Sequence, residues 1–134
     1  MVEKQPKIHS GWVTLWILLI AGANVLGILG YAAVAYLLGT NNTALNNLTS
    51  FLSVAGTPLW AISIFITMGL VSIGSAIALL KWRKWGFFAL CITYMAGFLT
   101  NIVIGNPLNI PHIAGLFVPV ILYLLLRKEW NQLR

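Results

Sequence analysis

Four long apolar stretches, separated by short polar ones, make up nearly all of this chain. From Gly11 to Leu80, and again from Trp85 to Leu126, no side chain carries a charge. A helix crossing hydrocarbon needs about 20 apolar residues at 1.5 Å each. Trp12 to Leu38 meets that requirement and is followed by the uncharged, Asn/Thr-rich stretch Gly39 to Ser50. A second run extends from about Pro58 to Leu80 and ends in the turn Lys81-Trp82-Arg83-Lys84-Trp85. A third runs from about Gly86 to Gly105, where Asn106-Pro107-Leu108-Asn109-Ile110-Pro111 breaks it. The fourth runs from about His112 to Leu126, ahead of a basic tail. The apolar residues come in continuous blocks, whereas membrane strands alternate apolar and polar. In lipid every backbone polar group must be paired internally, which favours helices. The pattern predicts an all-α polytopic membrane protein. It is a single domain over 1–134, an antiparallel four-helix transmembrane bundle with spans at about 12–38, 58–80, 86–105 and 112–126.

Composition agrees with that reading. The chain is 60% hydrophobic and 7% charged, whereas a soluble domain usually has about a quarter of its residues charged. Its net charge of +6 sits beside apolar runs and Trp residues, so anionic lipid headgroups are the expected counter-charge and nucleic acid is not. All eight Lys and Arg lie before the first run, in the 81–84 turn or after the fourth run. Basic loops stay on the cytoplasmic side, so both termini and the central turn are expected there, with Gly39–Ser50 and 106–111 opposite. Trp12, Trp82, Arg83, Lys84, Trp85 and Trp130 are the expected interfacial anchors on the basic side. Trp16 belongs with them and Trp60 opposite. Asn41 and Asn47 match the glycosylation pattern in an outer loop that has room for a short surface helix. The apolar run after the charged start is too long for a signal core of roughly 7–15 residues, so the first span is expected to be retained.

Candidate chemistry is sparse. No Asp, Glu, Lys or Arg lies in a span, and Glu3 and Glu129 are far apart in sequence. No nucleotide-binding loop, paired-cysteine metal motif or HExxH occurs, so no catalytic residue and no metal site is assigned. Cys91 is a lone thiol in an apolar run. His112, at the start of the fourth span, is the one candidate cofactor ligand, for haem or a pigment. The alternative is an interfacial histidine that caps the helix start or bonds to the Asn-rich loop, and His9 is expected on the other side of the membrane. Asn24 and Asn101 are amides in hydrocarbon, where they pin helices together or line a path. Ala23, Gly27 and Gly30 on the first helix, and Gly69, Ser72 and Ala76 on the second, form small-residue stripes that admit close helix approach. Thr67, Ser75, Thr93 and Thr100 are expected to bond to carbonyls one turn back. Pro119 is expected to kink the fourth helix.

The turn Lys81-Trp82-Arg83-Lys84-Trp85-Gly86-Phe87, with Ile102, Gly105 and the ending Ile121 to Arg127, resembles small four-span bacterial integral membrane proteins of uncharacterised function. The resemblance implies a bacterial cytoplasmic membrane and transfers no functional residue. Three functions stay open. One is a non-enzymatic subunit acting through helix packing, as an accessory protein of a larger membrane complex or as a homo-oligomer. The second is an oligomeric channel, pore or small-solute carrier lined by Asn24, Thr67, Ser72 or Asn101. The third is a haem- or pigment-binding subunit using His112. No cofactor is implied otherwise, and the expected partners are membrane lipids, other membrane subunits or a second copy.

Overall fold

The computed structural model describes residues 9–40, 57–105 and 110–133, with only the backbone at 37–40 and 110–112. The apolar runs form helices α1 (Gly11–Thr40), α2 (Leu59–Leu80), α3 (Trp85–Val103) and α4 (Ile110–Leu126), and Trp130–Gln132 adds one 3-10 turn. Among the described residues there is no strand. Each helix boundary lies within two residues of the run read from the sequence. Three helices, α1 to α3, are long and apolar enough to cross a membrane, whereas α4 has 17 residues. The loop expected to carry a surface helix and the glycosylation pattern lies outside the described residues.

α1 packs on α2, α2 on α3 and α3 on α4, and α4 returns to α1. The inward stripe of α1 is Val13, Ile17, Ile20, Asn24, Gly27, Tyr31 and Val34, at alternating steps of four and three. That average of 3.5 keeps one seam against a neighbouring helix. Ile62, Phe65, Gly69, Ser72, Ala76 and Leu79 form the matching stripe of α2, and Gly86, Leu90, Thr93, Gly97 and Asn101 that of α3. The core is divided along these seams. Val13, Ile17, Ile20, Ala76, Leu79, Leu90, Leu122, Leu126 and Leu133 form one cluster. Val34 and Ile62, with Tyr31, Ala35 and Ile66, form a smaller one further along α1 and α2. The polar and small positions of the seams lie between the two clusters in sequence.

The α2–α3 turn closes with a pair of backbone bonds. Arg83 N–H donates to the Ala78 carbonyl at 2.9 Å, and Trp82 N–H to the Leu79 carbonyl at 2.9 Å. This pairing ends helices whose next residue is left-handed, usually glycine. Here that residue is Trp82, with φ 61°. α3 then crosses the end of α2 at Gly86, where a Cβ would stand 2.5 Å from the Ser75 carbonyl oxygen. α4 continues through Pro119. A proline has no N–H, so the Gly115 carbonyl loses its helical donor.

Candidate functional site

Two groupings of polar side chains stand out. The first is a chamber of about 230 Å³ with walls drawn from all four helices. Asn24, Gly69, Ser72 and Asn101, all singled out in the sequence, line it together. Gly27 lines an adjoining chamber of about 190 Å³ that also touches Asn24 and Gly69. Thr67 lines neither; it is exposed and donates to the Ser63 carbonyl at 2.8 Å.

The hydrogen bonds of the chamber follow from helix geometry. The Asn24 amide donates to the Ile20 carbonyl at 2.8 Å, and the Asn101 amide to the Gly97 carbonyl at 2.9 Å. Ser75, Thr93 and Thr100 bond one turn back in the same way, at 2.7, 2.7 and 2.8 Å. Such bonds satisfy a donor where lipid or core offers none. Ser72 is different. It is 2% exposed and lines the chamber, and among the described residues its hydroxyl shows no hydrogen bond. Tyr31 and Phe65 stack at 5.1 Å and 19° on the chamber wall.

The second grouping lies at one end of the molecule and joins three distant parts of the chain. His9 Nδ1 lies 2.7 Å from Glu129 Oε2, and its Nε2 lies 3.0 Å from the Leu79 carbonyl oxygen. Ser10 N–H donates to Glu129 Oε1 at 2.7 Å. The face of the His9 ring lies flat on Trp82, at 3.6 Å and 8° between planes. Burial pushes the Glu129 carboxyl up, but the Ser10 N–H and the His9 ring outweigh it and hold it below its ordinary value of 4.5. Trp130 packs beside this group against the edges of Phe87, Phe88 and Tyr123, with Lys84 Nζ 5.9 Å from its ring centre.

The remaining sequence candidates are scattered. Trp12 and Trp85 are exposed, as is Arg83, while Trp82, Lys84 and Trp130 are half-buried. The indole N–H of Trp16 is buried without a partner. Gly30 is half-buried and lines neither chamber. The His112 side chain lies outside the described residues. Among the described residues, no three His, Cys, Asp or Glu side chains converge on a point.

Sequence reasoning missed Tyr31, Phe65, Thr93, Tyr94, Gly97, Phe98 and Gly115 as chamber residues. The available signal was the step of four and three leading from Val13 through Asn24 to Val34, which selects the face that Asn24 shares. The stripe Ala23-Gly27-Gly30 was read instead, and Ala23 of that set is exposed.

All-helical architecture with three helices of spanning length and apolarity defines the class as helical membrane protein. The chain matches no protein-family model, no curated protein and no solved structure.

Proposed function

We infer that this chain is a four-span, antiparallel integral membrane protein of the bacterial cytoplasmic membrane. It acts without catalysis, through helix packing, as an accessory subunit or as a homo-oligomer. The supporting observation is the uncovered face of α1. Leu15, Leu19, Gly22, Leu26, Leu29, Ala33 and Tyr36 follow each other at steps of four and three, and all are exposed. Apart from the neighbouring backbone of α1 itself, no described atom lies within 4 Å of where a Cβ would stand on Gly22. A small residue among leucines lets a second helix approach closely, and close packing is what drives helix association in lipid. The chain's own helices occupy the opposite seam, so this one is available to another chain.

The assembly is checked by particle mass after extraction in mild detergent. Wild-type protein is expected as a multiple of 14.7 kDa or as a stoichiometric complex. Gly22→Ile is expected to dissociate it while preserving helix content. A wild-type particle of one chain and no partner overturns the proposal. Topology has its own test, in a Cys91→Ser background. Arg83→Cys should react with an impermeant thiol reagent from the cytoplasmic side and Leu45→Cys from the other. Labelling of both from one side refutes the four-span arrangement.

A further inference from the structure

We propose that the chamber between the four helices is a binding site for a small, uncharged ring molecule carrying a hydroxyl group. Its volume of about 230 Å³ exceeds the roughly 150 Å³ of an apolar protein cavity that takes up benzene. The adjoining chamber shares Asn24, Tyr31, Phe65, Gly69 and Tyr94 with it and reaches Ala23, which is exposed. Gly27 also lines that second chamber, and nothing stands within 4 Å of its missing Cβ. Both chambers are more open than enclosed, so a lipid-soluble molecule can enter them from the surrounding lipid.

The lining selects the chemistry. No Asp, Glu, Lys, Arg or His is among the lining residues, so a charged ligand would lose its water with nothing to replace it. Tyr31 and Phe65, stacked on each other, both line the chamber, and a ligand ring can pack against such an aromatic pair at offset or edge geometry. Two polar groups lack partners that their neighbours have. The Ser72 side chain, 2% exposed, shows no hydrogen bond among the described residues, and the residue one turn after Gly115, Pro119, has no N–H to offer the Gly115 carbonyl. Asn24, whose amide is occupied by Ile20, adds a carbonyl oxygen. A ligand hydroxyl accepts from Ser72 and donates to one of these carbonyls. A plain hydrocarbon serves neither, and a buried polar group left unpaired is unfavourable. Binding needs only one chain, so the inference stands apart from the assembly proposed above.

The test uses the full chain in lipid nanodiscs, with 4-fluorophenol as probe followed by fluorine NMR. A saturable shift or broadening, absent from empty discs, is expected. Phenol should displace the probe at least about fivefold better than toluene, which has nearly its shape but no hydroxyl, since one net hydrogen bond corresponds to about that factor. Ser72→Ala should weaken binding by a similar factor. A Cβ on Gly97 would meet only Met68 Sδ, at 3.7 Å, so the side chain of Gly97→Leu has the chamber to fill. That variant should abolish the saturable signal while helix content and melting stay those of wild type. A response equal to that of empty discs overturns the proposal, as does binding that survives Gly97→Leu, or toluene competing as well as phenol. If Gly97→Leu fails to fold, the Ser72→Ala comparison decides alone.

Discussion

Gly86→Ala is expected to be the most damaging single-methyl change in this protein. The added Cβ would lie 2.5 Å from the Ser75 carbonyl oxygen, 3.0 Å from the Ala78 Cβ and 3.0 Å from the Leu79 nitrogen. Two of those three atoms are backbone of α2, so no rotamer change relieves the contact. Overpacking a well-filled core usually costs about 1–3 kcal/mol, and the upper end applies where main chain must move. The helix gains at most about 1 kcal/mol from losing a glycine, which does not compensate. Gly97→Ala is the matched control. It brings the same helix gain and only an ordinary contact at 3.7 Å, so it should melt at or above wild type. Thermal unfolding in detergent, followed by circular dichroism, compares the three. If Gly86→Ala and Gly97→Ala melt together, α2 and α3 do not cross at Gly86.

The elements of this fold were legible because the helices are apolar over their whole length and charged residues punctuate them. Leu80 to Lys81 and Leu126 to Arg127 are changes of composition that need no tertiary knowledge. The facing of the helices was far less legible, for the same reason. A helix that is apolar all round carries no amphipathic stripe to say which side is inside. At Gly69, read from the sequence as part of a small-residue stripe, a Cβ would stand 2.7 Å from Ile28 Cγ1. The same logic applied to Ala23 selected an exposed position. Asn24 and Asn101 stand out in the sequence as polar exceptions and Ser72 as part of a small-residue stripe, and all three line one chamber. The aromatic half of its wall was not, because Tyr and Phe are ordinary residues in such helices. Pairings across 120 residues, such as His9 with Glu129, leave no local trace at all.

That pairing also accounts for a conformation that local rules disfavour. A bulky residue in the left-handed region costs on the order of 1–3 kcal/mol, and Trp82 sits there at φ 61°. The position ends α2 and lays the indole flat on His9. His9 is in turn held by Glu129 and by the Leu79 carbonyl. The segment before α1, the turn after α2 and the segment after α4 thus fix each other, and the strain at Trp82 is offset by contacts from outside its own turn.

Glu129→Ala is therefore expected to loosen all three segments at once. It removes the acceptor of the Ser10 N–H and the anionic partner of a His9 side chain that is 5% exposed. Hydrogen bonds to charged groups contribute about 1.5–3 kcal/mol each, and stranding a buried partner adds to the loss. A total near 3 kcal/mol at neutral pH is expected, with faster proteolysis after Lys81 and Arg127 as the turn and tail open. The Glu129 carboxyl makes the effect depend on acidity. The folded carboxyl titrates below its ordinary value of 4.5. Its contribution is therefore complete above that value and disappears as the pH falls through the lower, folded one. Wild type and Glu129→Ala should differ most at neutral pH and converge in acid. Unfolding measured across that range decides the matter. A difference that stays constant down to the most acid condition would show that an ionised Glu129 does not hold the segments together.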